Sequence, residues 1–239
     1  MPDRRTHRGP HPEDAQLFSA AALGALRAAA SDLTWLLDRG YAPKSSLKLV
    51  GDRYQLATRQ RTAVARCVCS TEDRGKRLSR CVEGSAVQGQ DVWLDGYNVL
   101  TTIEAALAGA VLLKGADETL RDMASMHGSY RKVEETFPAL QLIGQTLADL
   151  EPGETRWYLD RPVSNSGRLK QIILEVAAQH DWNWTVELVP DPDPLLSEAT
   201  IIVATADSVI LDRCGLWLNL ARRVVEAHVP GSNVIDFVT

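Results

Sequence analysis

The sequence predicts an α/β protein, in which a doubly wound, mostly parallel sheet of about five strands has helices on both faces and follows a small all-α N-terminal module. Two observations support this prediction. From residue 91 onward, short apolar runs alternate with stretches of helical periodicity, which is the pattern of strand–helix units in a parallel sheet. Residues 13–87 instead favour helices, beginning with alanines and leucines at helical spacing.

The two parts also differ in charge, although the whole chain has a net charge of only -5. Residues 1–90 carry 15 Lys and Arg against 9 Asp and Glu, whereas residues 91–239 carry 11 against 22. The basic part could meet a phosphate backbone, and the acidic part could hold cations. The alternative is two solvated surfaces of opposite sign that partly face each other.

The composition, 45% hydrophobic and 24% charged, is that of an ordinary globular protein. The first residues, MPDRRTHRGPHPED, are polar and do not resemble a signal peptide. No apolar run approaches the roughly 18 residues that a membrane span requires. The four cysteines suit a reduced compartment better than a disulfide scaffold. We therefore expect a cytoplasmic protein without a membrane partner.

Helix and breaker signals divide the first part of the chain. Glu13 and Asp14 open a helix that reaches about residue 38, and Gly40 and Pro43 break it. A second helix is predicted from about residue 53 to residue 69, followed by a charged third segment and a Gly-, Ser- and Gln-containing linker. The predicted units are a disordered tail, a basic helical module and an α/β domain, at residues 1–12, 13–87 and 88–239.

In the second part, strands and helices alternate along the chain. The candidate strands lie at residues 92–94, 156–159, 185–189, 200–204 and 234–238. The candidate helices lie at about residues 101–113, 120–125, 133–149, 167–180 and 215–227.

Acidic and amide side chains follow three of the predicted strands. They are Asp95 and Asn98 after the first strand, Asp160 after the second, and Asp207 and Asp212 after the fourth. In an open α/β sheet, ligands bind beyond the carboxyl ends of the strands, so these carboxylates should share one rim, where their repulsion calls for a cation. Oxygen ligands suit Mg²⁺ or Mn²⁺. Each residue also has a structural alternative as a turn residue or a helix cap.

Two further groups are candidates for phosphate binding. The first is the loop after the second strand, formed by Ser164, Asn165, Ser166, Gly167 and Arg168. Backbone N–H groups at a helix start, two hydroxyls and a cation favour an anion there, with a plain helix cap as the alternative. The second group comprises the arginines of the basic module, Arg53, Arg59, Arg61 and Arg66. They could hold a nucleic-acid backbone without reading its sequence.

Two motifs resemble those of a known family. DGYNVL, at residues 95–100, and IIVATADSVILDR, at residues 201–213, resemble the PIN-like nucleases, especially their NYN branch. The whole chain, with GYAPKSSLKLVGDRYQLATRQR in front, also resembles a prokaryotic family called domain of unknown function 434. The C-terminal part of that family is PIN-like and is called domain of unknown function 5616. The resemblance implies a PIN-like fold for the α/β domain.

The resemblance also implies roles for individual residues. Asp95 and Asp207 would hold a divalent metal, Asp212 would support it, and Asn98 would orient Asp95 or the substrate. Asp160 would add a carboxylate near the rim. The acid that the family takes from a middle helix has no clear match, and four residues compete for the place: Glu104, Asp117, Glu118 and Asp122.

These expectations combine into one leading hypothesis and one alternative. The leading hypothesis is a nuclease that uses Mg²⁺ or Mn²⁺ to hydrolyse phosphodiester bonds in RNA, with the basic module binding the backbone. The alternative is a degraded PIN-like domain that binds a nucleic acid, a nucleotide or a protein without cleaving. Assembly into a homo-oligomer is compatible with both.

Overall fold

The computed structural model describes residues 7–123 and 130–238. Within those residues, the N-terminal region contains helices α1 (Asp14–Leu17), α2 (Ala20–Leu37), α3 (Pro43–Arg53), α4 (Thr58–Cys67) and α5 (Thr71–Arg80). The long first helix of the prediction is present, with a break between α1 and α2. Of the predicted tail, residues 1–6 lie outside the described residues, and residues 7–12 form neither helix nor strand.

The predicted second helix was wrong in its bounds, because two helices, α3 and α4, occupy this part of the chain. Pro43 stands in the first turn of α3, where its missing N–H removes no helical hydrogen bond. Gln55 adopts a left-handed φ of 50°, which separates α3 from α4. Gly40, with φ 77°, ends α2 in the same way.

The rest of the chain alternates strands with helices. In chain order it contains β1 (Val92–Asp95), α6 (Gly96–Leu107), β2 (Leu112–Lys114), β3 (Leu120–Asp122), α7 (Thr136–Leu150), β4 (Thr155–Asp160), α8 (Ser166–Gln179), β5 (Trp184–Val189), α9 (Pro192–Ser197), β6 (Ile202–Ala204), α10 (Ser208–Leu211), β7 (Trp217–Leu218), α11 (Leu220–His228) and β8 (Val234–Ile235). Five strands form a parallel sheet, as predicted, and their order is β5-β4-β1-β6-β7. Because β1 is central, its carboxyl end meets the ends of β4 and β6.

Alternate side chains of the strands cover opposite faces of this sheet. Leu94 and Trp157 belong to a core formed with α6, α7, α8 and α11. Trp93, Tyr158 and Trp217 belong to a separate cluster with residues of α9 and α10. Helices therefore flank both faces, as the sequence predicts.

A second sheet joins the helical region to the α/β part. Its strands lie in the order β3-β2-β8. Leu113 and Phe237 from this sheet and its C-terminal extension share one buried core with Leu26 of α2 and Val64 of α4. We call this the shared core, and it packs the helical region directly against the second sheet.

Several sequence assignments in this part were wrong. The helix predicted from about residue 215 begins at Leu220, because β7 takes its start. Residues 120–122, predicted as the start of a helix, form β3 and pair antiparallel with β2; residues 124–125 of that prediction lie outside the described residues. Helix α6 begins at Gly96, ahead of the predicted residue 101, and β2 takes the predicted end of that helix. The predicted strand at residues 234–238 contributes β8 to the second sheet, and the fifth strand of the main sheet is β7.

Among the described residues, no helix is long and apolar enough to cross a membrane. The cysteines Cys67, Cys69, Cys81 and Cys214 are free thiols. Burial raises the pKa of the Cys67 thiol to about 12 and that of Cys69 to about 11, so both stay protonated at neutral pH.

Candidate active site

A cavity of about 350 Å³ opens where β1 and β6 end. Its lining residues come from the helical region and from both sheets: Arg66, Asp95, Tyr97, Asn98, Thr101, Thr102, Arg121, Asp122, Asp193, Ala206, Asp207 and Ser208. Because four of them are aspartates, we call it the acidic cavity. β1 and β6 are parallel neighbours, which brings Asp95 and Asp207 to the same rim.

Asp95 occupies the N-cap position of α6, but its side chain makes no capping hydrogen bond. The residue is 8% exposed, and its carboxylate accepts a hydrogen bond from the Thr205 hydroxyl at 2.8 Å. Burial raises the pKa of Asp95 to about 7, and three acidic neighbours at the rim add to the shift. These neighbours are Asp207, Asp193 and Asp160. The buried charge of Asp95 therefore meets further negative charge.

Hydrogen bonds tie the first turn of α6 to the segment after β6. Asn98 Oδ1 accepts the backbone N–H of Ala206 at 2.8 Å. The Thr205 hydroxyl accepts the backbone N–H of Asp207 at 3.0 Å. Asp207 in turn caps α10 through its own carboxylate. The residues of the two sequence motifs are thus held together as one rigid corner of the cavity.

Asp193 lines the acidic cavity from the first turn of α9, although the sequence analysis did not select it. Partial burial raises its pKa to about 6, together with the charges of the aspartates around it. A signal was present, because the run DPDP at residues 191–194 follows β5 and so reaches the same sheet edge.

Asp160 ends β4 beside this cluster but is not one of the residues that line the cavity. It is half-buried, and burial and the nearby Asp191 raise its pKa. Asp160 therefore contributes negative charge to the rim from the side of β4.

Two arginines add positive charge to the cavity wall. Arg66 Nη1 lies 3.8 Å from Asp122 Oδ1 and also donates to the Asp122 carbonyl. Arg121 Nε donates to the carbonyl of Ala206 at 2.8 Å, and its Nη1 donates to the carbonyl of Arg66 at 2.9 Å. Asp122 Oδ2 accepts two threonine hydroxyls of α6, at 3.0 and 3.3 Å. The cavity wall thus carries carboxylates from the strand ends and guanidinium groups from α4 and β3.

The structure places Asp212 away from the acidic cavity, because its carboxylate pairs with Arg77 at 2.7 Å. The same arginine reaches Asp117 at 2.6 Å, and Arg121 reaches Asp117 from the other side at 2.7 Å. Glu118 pairs with Arg222 at 2.7 Å. These three acids are therefore neutralised by arginines.

Glu104 is fully buried in a separate network. It accepts the Tyr130 hydroxyl at 2.5 Å and the Thr136 hydroxyl at 2.6 Å, and it forms an ion pair with Arg8. Burial raises the pKa of Glu104, against the opposing effect of Arg8. Of the four acids that the family resemblance left open, Asp122 is the one that lines the acidic cavity.

Several polar groups of the loop predicted to bind phosphate form hydrogen bonds within the protein. Asn165 Nδ2 donates to the Tyr130 carbonyl at 2.9 Å, and the Ser166 hydroxyl donates to the Arg161 carbonyl at 3.2 Å. The carbonyl of Ser164 accepts the backbone N–H of Tyr130 at 3.2 Å. The loop therefore anchors the segment that precedes α7, while the neighbouring Gly167 and Arg168 remain exposed.

The four arginines predicted to bind a nucleic-acid backbone differ in their surroundings. Arg59 and Arg61 pair within the helical region, with Asp14 and Asp52 respectively. The Arg53 side chain is 70% exposed. The fourth arginine, on α4, lines the acidic cavity. The predicted group therefore does not form one exposed basic face.

The acidic cavity offers carboxylate, amide and hydroxyl oxygens, which are ligands of Mg²⁺ and Mn²⁺ rather than zinc. Across residues 7–123 and 130–238, no group of three or more His, Cys, Asp or Glu side chains could hold a metal ion. Mg²⁺ commonly binds through one or two carboxylates together with water and substrate phosphate. Asp95 is buried and lies near other carboxylates, so it is suited to be one of the few protein ligands of such an ion.

Comparisons with known proteins identify relatives but no activity. The model of "Protein of unknown function (DUF434)" matches residues 25–80. "Uncharacterized protein MJ0935" from Methanocaldococcus jannaschii is 28% identical over 183 residues, which cover 77% of this chain and 87% of that protein. No solved structure matches the chain. The model of "Domain of unknown function (DUF5616)" matches residues 84–223, which confirms the resemblance to these two families, and the chain belongs to the DUF5616 family.

Proposed function

We propose that this protein is a PIN-like nuclease that hydrolyses phosphodiester bonds in RNA with the help of Mg²⁺ or Mn²⁺. One observation carries the proposal: Asp95 is buried at the end of the central strand, and this burial, together with its acidic neighbours, raises its pKa to about 7. A buried charge placed among like charges is unfavourable unless a cation compensates it. Raised pKa values of this kind cluster at functional sites.

The residues of the acidic cavity would have different roles. Asp95 and Asp207 would hold the metal ion, which supplies charge stabilisation and a reactive water when it is bound. Asn98 keeps these two strand ends in register through its hydrogen bond to Ala206. Arg66, which lines the cavity from α4, offers a guanidinium group that can bind a phosphate oxygen.

Asp193 suits the role of proton acceptor. It lies exposed at the cavity, and its pKa of about 6 places it close to neutrality. A general base works best when its pKa lies near the operating pH. At neutral pH the carboxylate is mostly ionised and can take the proton of an attacking water.

Asp95→Asn and Asp207→Asn test the proposal, because each removes one charge while retaining the size and the hydrogen-bond acceptor of the side chain. We expect Mn²⁺-dependent cleavage of end-labelled single-stranded RNA to fall by about 100-fold or more in each variant. The matched control is Asp149→Asn, an exposed aspartate on α7 that should cleave like the wild type. Undiminished cleavage in both cavity variants would refute the proposal.

A second candidate is a binding module that retains the fold without the chemistry. It is favoured by the fact that, in the described part of the chain, no three metal-binding side chains are close enough to hold an ion. Thermal unfolding with and without Mn²⁺ separates the two candidates, because a ligand that binds only the native state raises its stability. A melting temperature that Mn²⁺ does not change, together with RNA binding but no cleavage, would establish the binding module.

A further inference from the structure

A groove of about 470 Å³ lies between α2 and α3 in the helical region. We call it the α2–α3 groove, and its lining residues are Ser31, Asp32, Trp35, Leu36, Leu49, Val50 and Arg53. Trp35 and Leu49 are 53% and 62% exposed, although both are large hydrophobic residues. Two such side chains beside one groove indicate a binding surface, whereas a single exposed apolar residue would need no explanation.

Trp35 differs from the other tryptophans of the chain, because the other five are buried or half-buried. The guanidinium group of Arg39 lies over its ring, with Cζ 3.7 Å from the ring centroid. Arg39 Nη1 also donates to the Trp35 carbonyl at 3.1 Å. The indole ring is thereby held beside a cation, while about half of the residue stays open to solvent.

Charge favours a nucleic acid over a protein segment as the occupant of this groove. Residues 20–54, which contain α2 and α3, carry five Lys and Arg against three Asp, a net charge of +2, whereas the whole chain has -5. Arg39 forms no ion pair with any of the described residues. Arg53 lines the groove from α3, and its 3.5 Å ion pair with Asp32 is exposed enough for a phosphate to compete with the carboxylate.

Proteins that bind single-stranded nucleic acids combine cationic groups, which contact the phosphates, with aromatic side chains on which the bases stack. The α2–α3 groove contains both kinds of group. We propose that an unpaired base of single-stranded RNA stacks on the Trp35 ring in this groove, while Arg39 and Arg53 contact the neighbouring phosphates. This inference deepens the proposed function, because it rests on RNA as the ligand, but it does not depend on cleavage. Every base has a π face, so the groove holds an RNA strand without selecting its sequence.

Trp35→Leu and Trp35→Phe test the stacking, because leucine retains an apolar side chain without an aromatic plane and phenylalanine retains the plane. The measurement is the fluorescence anisotropy of a labelled single-stranded RNA, with EDTA present to prevent metal-dependent cleavage. The dissociation constant should rise about 10-fold in Trp35→Leu and less than about 3-fold in Trp35→Phe. Tyr41→Leu is the matched control, because Tyr41 is an exposed aromatic residue that does not line the groove, and it should bind like the wild type.

An abasic strand of the same length separates stacking from charge, because it retains the phosphates without the bases. Trp35→Leu should bind this strand as tightly as the wild type does. An equal loss of affinity for both strands would overturn the proposal. Unchanged RNA affinity in Trp35→Leu, or no RNA binding by the wild type, would overturn it as well.

Two further outcomes separate this inference from its competitors. A wild-type dimer in sedimentation that Leu49→Ala dissociates would assign the groove to a second copy of the chain and overturn the proposal. Weaker binding of RNA, but not of the abasic strand, in Trp35→Leu supports the proposal even if the wild type cleaves no RNA, in which case the nuclease function alone fails. Cleavage by the wild type together with unchanged RNA affinity in Trp35→Leu overturns only the role of Trp35.

Discussion

Two buried aspartates of the same molecule, Asp95 and Asp117, have opposite electrostatic surroundings. Asp117 is 1% exposed and lies between the guanidinium groups of Arg77 and Arg121, at 2.6 and 2.7 Å. Although burial favours its neutral form, these arginines and the hydrogen bonds to the carboxylate lower the pKa of Asp117. Asp95 has one threonine hydroxyl and a rim of further acids, and its pKa is raised to about 7.

The comparison separates a structural acid from a candidate functional one. The charge of Asp117 is compensated within the fold, so it can contribute to stability without any ligand. The charge of Asp95 lacks such compensation, so folding leaves it available to a cation. Burial alone does not distinguish the two residues, whereas the sign of the neighbouring charges does.

Removal of the compensated carboxylate should have the largest effect on stability. Asp117→Ala leaves Arg77 and Arg121 without their buried partner, and we expect a loss of about 3–5 kcal/mol in the free energy of unfolding. Urea denaturation at neutral pH measures this loss. Asp149→Ala, at an exposed position, should change the free energy by less than about 0.5 kcal/mol. A loss below about 1 kcal/mol for Asp117→Ala would mean that the two arginines find other partners.

The uncompensated carboxylate should show the opposite behaviour. Because the pKa of Asp95 is higher in the folded protein than in the unfolded chain, the folded state binds the proton more tightly. The contribution of Asp95 to stability should therefore fall as the pH rises from about 4 to about 7 and then level off. Asp95→Asn lacks this loss and should be more stable than the wild type at pH 8 by roughly 4 kcal/mol.

Denaturation curves of both proteins at pH 4 to pH 8 measure this difference. Added Mn²⁺ should raise the free energy of unfolding at pH 8 for the wild type but not for Asp95→Asn. Parallel curves across the range would show that the carboxylate is compensated after all.

The same contrast should appear, with smaller effects, between two arginines of the helical region. Arg59 makes two hydrogen bonds to the buried Asp14, at 2.5 and 2.9 Å, so Arg59→Ala should cost about 2 kcal/mol of stability. Arg53 forms a solvent-exposed ion pair with Asp32 at 3.5 Å, and Arg53→Ala should change stability by less than about 0.5 kcal/mol. If the helical region binds RNA, Arg53→Ala should reduce the salt dependence of binding by about one counterion. Equal stability losses in the two variants would contradict this contrast.

Much of the main sheet could be predicted because its longer strands are apolar runs bounded by polar residues. Three of the shorter strands could not be predicted in this way. β2, β3 and β7 contain two or three residues each, which is too short to establish a periodicity. For this reason β3 was mistaken for the start of a helix.

The residues of the candidate site were likewise predicted only in part. Asp95 and Asp207 were selected because they directly follow strands whose carboxyl ends meet at one edge. Asp193 stands among prolines and was passed over, although it follows β5. Asp212 was selected on the basis of a motif, and its pairing with Arg77, 135 positions away, could not be inferred from local sequence. Sequence identifies a charge, whereas its neutralisation depends on tertiary contacts.

The shared core limits how this protein could have been assembled by recombination. Leu26 and Val64 of the helical region pack in one core with Leu113 and Phe237, which are far apart in the sequence of the α/β part. A gene fragment encoding the helices alone would therefore express a polypeptide with an open apolar surface prone to aggregation. We expect the two family segments, residues 25–80 and 84–223, to have been inherited together rather than exchanged as independent modules.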